Sequence, residues 1–307
     1  MSRIQSLAPD LILIDTHYRE TPRAIGSYLL LGEHPALIES GPASTLENLL
    51  EGVRQAGVDP RDLRAVAVTH IHLDHAGAAG SLARMFPHLE VYVHPVGASH
   101  LIDPARLVAS SRRTFGEVFD AWFGEVVPVP AERVHVLHDG AQITLGSRRL
   151  TALDTPGHAR HHLAYFDEAS GDVFTGDVTG VAVSGVRHVR VPTTPPEFDP
   201  GAWRASIARL RALGLRRLLP THFGPHTWID SLLRQLEEGL DQMVEMGRES
   251  ADLDAATLAA RLKEASLVEL TRVGHPEALT TYEVIVGSDL SAQGLLRFVT
   301  KEREREA

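Results

Sequence analysis

The 307-residue chain contains no cysteine. That excludes disulfides, thiolate ligands and a cysteine nucleophile, so any metal must be held by nitrogen and oxygen. Lysine is nearly absent too. Lys263 and Lys301 are its two occurrences among 30 basic residues, an arginine bias that reflects coding and carries no function. No apolar run approaches the ~20 residues of a membrane helix. The first residues, Met1-Ser-Arg-Ile-Gln-Ser-Leu-Ala8, lack the apolar stretch and cleavage site of a signal peptide. The expectation is a cytoplasmic protein with no membrane partner. Positive charge is in deficit, with 40 acidic residues giving a net charge of -10. Residues 231–307 hold 15 acidic and 9 basic residues, so -6 of it lies there. A nucleic-acid backbone demands the opposite balance. Arg204, Arg209, Arg211, Arg216 and Arg217 read as a solvated helix face and strand flank, and no nucleic-acid partner is expected.

What is present is ordinary for a globular chain, with 43% hydrophobic and 23% charged residues. Short strands are expected at Leu11–Ile14, Ser27–Leu31, Ala36–Ile38, Leu63–Val68 and Glu90–Val93. Ser44 and Glu47 form a capping-box pattern opening a helix that ends near Gly57. Residues 104–124 read as one amphipathic helix with an aromatic run from Phe115 to Phe123, either ordinary packing or a lid over a pocket. From 133 onward short strands alternate with turns at Asp139-Gly140, Gly146-Ser147 and Ser170-Gly171. After Pro225 the pattern becomes helical. Ile229, Leu232, Leu233, Leu236, Leu240, Met243 and Val244 share one side of a helix over 228–247, and further helices follow over roughly 255–270 and 288–303. Packing on the preceding domain and dimerisation both account for that stripe, so a homodimer stays open. The expected division is a domain over 1–227 and a helical C-terminal region over 228–307.

The densest chemistry lies in Thr69-His-Ile-His-Leu-Asp-His-Ala-Gly77. It follows a short apolar strand and precedes a helix expected from Ala76 to Met85. In an H-x-H pair on extended backbone, the rings of His70 and His72 project to one face. Asp74 and His75 then turn the corner toward a second point. Imidazole and carboxylate together suit zinc, manganese or iron. Three further islands each place one ligand-type residue just past a strand: Asp154-Thr-Pro-Gly-His158, Phe174-Thr-Gly-Asp177 and Pro220-Thr-His-Phe-Gly224. Such strand-end loops are where function collects.

In this order, the seven residues resemble the metallo-β-lactamase superfamily, in its glyoxalase II and lactonase-like branch. The match to its H-x-H-x-D-H pattern and later His, Asp and His covers about residues 10–225. The resemblance implies an α+β chain, an αββα sandwich with a dinuclear site along one edge, here extended by a mainly helical C-terminal region. It further implies that His70, His72 and His158 hold one divalent ion, that Asp74, His75 and His222 hold a second, and that Asp177 bridges them. Zinc is the first expectation, manganese or iron the alternatives. Such a pair, roughly 3.5–4 Å apart, shares a hydroxide at neutral pH and polarises a substrate oxygen. Asp74 is the candidate to take or return a proton.

Departures narrow the branch. Asp177 stands where true β-lactamases commonly carry Cys or Ser. Val178-Thr-Gly-Val-Ala-Val183 lacks the Lys- and Tyr-containing glutathione segment of glyoxalase II. Gly180 stands where lactonases often have Tyr. RNase Z-type nucleases need a basic exosite, and flavodiiron proteins replace the His that is intact here as His72. Glu39, where the family often has Asp, is expected to orient a ligand and not to bind metal. His161 and His162 read as orienting or packing residues, and His226 as a weaker candidate for the pocket. The expected function is hydrolysis of a small ester, thioester or lactone by metal-bound hydroxide. A mononuclear iron enzyme of the persulfide-dioxygenase type, a small-phosphodiester hydrolase and a metal-stabilised scaffold are the competing readings.

Overall fold

A computed structural model describes residues 3–306. Met1, Ser2 and Ala307, the outer ends of the two expected domains, lie outside the described residues. The chain forms two compact units, Met1–Asp154 with His161–Gly176, and Thr155–Arg160 with Asp177–Ala307.

In the first unit, a seven-stranded sheet follows chain order: β1 (Ile4–Ala8), β2 (Leu11–Asp15), β3 (Gly26–Leu30), β4 (Ala36–Ile38), β5 (Ala65–Ala67), β6 (Glu90–Val93) and β7 (Val134–Val136). Its first four strands pair antiparallel and its last four parallel. Parallel neighbours need crossovers, which carry α1 (Leu46–Gln55), α2 (Leu73–Ala76), α3 (Ala79–Met85), α4 (Pro95–Ile102), α5 (Ala105–Phe115) and α6 (Phe119–Phe123). An antiparallel meander follows: β8 (Gln142–Leu145), β9 (Arg148–Asp154), β10 (Leu163–Asp167) and β11 (Asp172–Gly176).

Strand alternation sorts the core. Ile12, Ile14, Leu29, Leu37 and Val66 join Leu49, Leu50 and Val53 of α1 and Leu82 of α3 in one buried cluster. Each such aliphatic side chain contributes roughly 1.5–3 kcal/mol when fully buried. The opposite face of the first sheet meets the second, where the Tyr28 and Phe174 rings pack edge to face at 5.2 Å. The buried Tyr165 hydroxyl donates to the Val68 carbonyl at 2.7 Å. Arg148, also buried, joins Asp10 at the β1–β2 turn to Asp167 and Asp172 of the meander.

The second unit contains α7 (Pro200–Arg211), β12 (Arg217–Pro220), α8 (Ile229–Glu249), α9 (Ala255–Arg272), α10 (Leu279–Ile285) and α11 (Ser288–Glu306). The expected stripe of α8 is buried at Leu232, Leu233, Leu236, Leu240 and Val244, and α7 and α11 of the same chain pack against that helix. Val181, Val183 and Val186 cluster with Leu270, Tyr282 and Val286 of the terminal helices. Among the described residues, no helix is long and apolar enough to cross a membrane. The chain is a mixed α+β protein with two sheets and a helical C-terminal region, as expected.

Local expectations fail in three places. The capping box does not form. Residues 43–45 make a 3₁₀ turn, and the Ser44 hydroxyl donates to the Trp122 carbonyl. The helix expected from Ala76 to Met85 starts earlier, as α2, and breaks at Gly77, where a β-carbon would lie 2.3 Å from the Leu73 carbonyl oxygen. The helix expected over 104–124 divides at Gly116, whose φ of 57° is left-handed. Phe119 and Phe123 then fold back onto Leu73 of the histidine-rich turn, leaving Phe115 and Trp122 half-buried.

Candidate metal centre

Each unit carries part of the ligand set. In the first, the chain leaves β5 and Thr69, His70 and His75 are fully buried, whereas His72 and Asp74 are partly exposed. One carboxylate organises this turn. Glu39, at the end of β4, receives the Thr69 hydroxyl, the Thr69 backbone N–H at 3.3 Å and the His75 ring at 3.1 Å. The Thr69 oxygen in turn lies 3.0 Å from His70 Nδ1. Because the hydroxyl proton goes to Glu39, the His70 Nδ1–H must donate to Thr69. Likewise the His75 Nδ1–H donates to Glu39, since a carboxylate only accepts. Both rings are thereby fixed as the tautomer whose Nε2 carries the lone pair.

Those Nε2 atoms point at other ligand-type atoms. His70 Nε2 is 2.9 Å from His72 Nδ1, and His75 Nε2 is 3.6 Å from Asp74 Oδ2. His162 and His161 flank the turn, with ring centroids 5.0 and 6.1 Å from His70. Gly176, directly before Asp177, fits the same space. A β-carbon there would lie 2.4 Å from the Thr69 hydroxyl and 2.7 Å from His162 Nε2. The loop after β2 runs close by, since the Asp74 charge adds to burial in raising the Tyr18 phenol above its ordinary value.

In the second unit, Asp177 is buried between two imidazoles. Its Oδ2 lies 3.3 Å from His158 Nε2 and its Oδ1 lies 3.4 Å from His222 Nε2. His158 Nδ1 faces the Pro192 carbonyl at 3.0 Å, which again turns Nε2 inward. One carboxylate with a different imidazole on each oxygen is the arrangement a bridging ligand requires. An oxygen partner behind the ring is what metal-bound histidines need to hold tautomer and orientation. Both half-sets therefore fit divalent metal of the zinc, manganese or iron kind.

His226 belongs elsewhere. Its Nε2 lies 2.9 Å from the Ala182 carbonyl and the Trp228 indole donates to its Nδ1, so both ring nitrogens are engaged. Burial pushes its pKa below the usual histidine value. Glu39 contacts Thr69 and His75, the placement expected of a residue that orients His75. Thr69 and Trp203 did not stand out in the sequence. Thr69 was visible beside His70, but its link to Glu39 spans 30 residues. Trp203, whose ring lies 5.6 Å from the His158 imidazole, sits in a helix with no motif of its own, 45 positions beyond that histidine.

A family model described as the metallo-beta-lactamase superfamily matches residues 21–222. The hydroxyacylglutathione hydrolase of Vibrio cholerae is 24% identical over 262 residues, covering 75% of this chain and 88% of that protein. The acyl-coenzyme A thioesterase MBLAC2 of Gallus gallus is 29% identical over 185 residues, covering 56% and 64%. Among solved structures, a metallo-beta-lactamase family protein from Thermus thermophilus covers 97% of this chain and 95% of its own, with a TM-score of 0.69 at 22% identity.

Proposed function

The chain belongs to the metallo-beta-lactamase superfamily and is a hydrolase of that superfamily, and we propose that it cleaves a small ester, thioester or lactone with water activated at a pair of divalent metal ions. In this reading His70, His72 and His158 would hold one ion and Asp74, His75 and His222 the other, with the Asp177 carboxylate shared between them. The observation that carries it is the Asp177 carboxylate, with His158 at one oxygen and His222 at the other. Within the first unit, His75 Nε2 facing the Asp74 carboxylate and His70 Nε2 facing His72 support it as well. Zinc is the first candidate for a site with nitrogen and oxygen ligands and no thiolate.

When bound, such a pair supplies an acidified water and polarises the substrate oxygen. The chain's own residues do the rest. Asp74, with its side chain 24% exposed, is reachable by substrate and moves the proton between nucleophile and leaving group. Glu39 and Thr69 keep His70 and His75 in the ligating tautomer. The catalytic domain is taken as residues 1–227, with the helical region 228–307 supporting it.

Acyl substrates are favoured over polynucleotides because the chain is acidic, at -10 overall, whereas phosphate backbones are bound by rows of cations. By their names, two relatives given above act on hydroxyacylglutathione and on acyl-coenzyme A. The test combines elemental analysis of metal-loaded protein with rates on ester, thioester, lactone and phosphodiester panels. Two ions per chain with preferential acyl cleavage are expected. A single iron, or efficient phosphodiester cleavage beside negligible acyl cleavage, overturns the assignment.

A further inference from the structure

We infer that Trp203 is a positioning residue that ties His158 to Asp177, so that two of the proposed ligands are set by one buried indole. The inference rests on the metal reading above. Trp203 is fully buried in the first turns of α7. Its ring meets the His158 imidazole edge to face, with centroids 5.6 Å apart at 72°. Its Nε1–H donates at 2.7 Å to the carbonyl of Val178, the residue directly after Asp177. The ring thus packs on the histidine while its N–H fixes the backbone beside the carboxylate.

The surroundings are built for this contact. Gly157, next to His158, has φ of 139°, and a β-carbon there would lie 2.3 Å from Trp203 Cβ. The chain can press this closely on the indole only with glycine at that position. The same helix start holds the loop from behind: the Asp199 N–H donates to the Gly157 carbonyl at 2.9 Å and the Ser206 hydroxyl to the Pro156 carbonyl at 2.7 Å. A buried indole N–H needs an acceptor. Here the acceptor is backbone adjacent to a proposed ligand, which gives the bond a consequence beyond packing.

Trp203→Phe keeps an aromatic ring beside His158 while removing the N–H bond to Val178 together with part of the indole's bulk. Zinc affinity, measured by competition with a chromophoric chelator, is expected to fall on the order of tenfold to a hundredfold, as for other partners that orient metal ligands. Leu258→Ala, a buried truncation in α9, is the control. It is expected to lower the melting temperature while leaving zinc affinity unchanged. Should Trp203→Phe fail to fold, wild-type protein labelled with ¹⁵N-tryptophan decides: the Trp203 indole signal, one of 3 in the chain, is expected to shift as zinc is added and to saturate with it. Wild-type-like zinc affinity in Trp203→Phe, or an indole signal that stays in place, overturns the inference while the metal reading stands. Wild-type protein that takes up no zinc overturns both.

Discussion

Glu39 shows most clearly how a single residue would serve the proposed site without touching the reaction. It holds a left-handed backbone, with φ of 69°, a conformation that costs a residue other than glycine roughly 1–2 kcal/mol. Its carboxylate is buried, and a buried carboxylate needs partners; it has the Thr69 hydroxyl, the Thr69 N–H and the His75 ring. Glu39→Gln keeps the shape but replaces one acceptor oxygen with a donor NH₂, which then faces another donor. An unsatisfied buried donor costs about 1–3 kcal/mol, and zinc affinity is expected to drop about tenfold or more as His75 loses its orienting charge. Thermal melts and chelator competition check the two effects separately, and a variant unchanged in both would remove Glu39 from the site. His226 gives a pH prediction at the same scale. Burial lowers its pKa, so between the folded value and the unfolded value near 6.5 the unfolded chain binds more protons. Its contribution to stability is complete above about pH 6.5 and is lost as pH falls toward the folded value. Burial depresses His94 and His188 in the same direction. Melting temperature, measured without added metal, should fall from pH 7.5 to 5.5, and His226→Gln should fall less steeply.

Elements were legible where their cause is local. The apolar stripe of α8 follows from spacing: Leu232, Leu233, Leu236, Leu240 and Val244 are buried as the spacing expects, with Ile229 and Met243 half-buried. The histidine-rich turn was legible because four ligand-type residues fall within six positions at a strand end. What stayed hidden depends on partners distant in sequence. Ser44 and Glu47 have the spacing of a capping box, yet Ser44 finds Trp122, 78 residues away. Arg148 gave no signal at all, although it joins a β-turn to two strands of the other sheet across 138, 19 and 24 positions. Its guanidinium is buried against three carboxylates, and removing one partner of a buried ion network typically costs 3–5 kcal/mol. Asp10 is about a third exposed and rehydrates readily, so the low end applies. Arg148→Met is expected to lose about 3 kcal/mol in urea melts. A loss well under 1 kcal/mol would mean that the network fixes register between elements without holding them together.

At the scale of the whole chain, family membership was readable because the order and type of the ligand-type residues survive where overall identity is low. The substrate was not, since the residues beside the centre are brought there by packing. The segment after Asp177 is the plainest case. Val178–Val183 carries no binding motif, yet Val181, Val183 and Val186 are buried against Leu270, Tyr282 and Val286. The Tyr282 hydroxyl donates to the His188 carbonyl at 2.7 Å and accepts from the Val183 N–H at 3.2 Å. Arg190 pairs with Glu283 at 2.7 Å, and Thr193 bonds the Ser291 carbonyl. This segment also carries the Pro192 carbonyl that faces His158 Nδ1. The helical region therefore reaches a proposed ligand through one intermediate, with no need to touch substrate. Ending the chain after Pro225 would uncover three valines and break those bonds together. Each valine re-exposed costs on the order of 1.5 kcal/mol, which is a large share of the 5–15 kcal/mol that a folded domain has in hand. The truncated chain is expected to precipitate or to lose zinc affinity along with activity, whereas Tyr282→Phe, which removes only the hydroxyl, should stay folded and lose less. A truncated protein that is soluble, binds two zinc ions and turns over acyl substrates at the full rate would show that the helical region plays no part in holding the site.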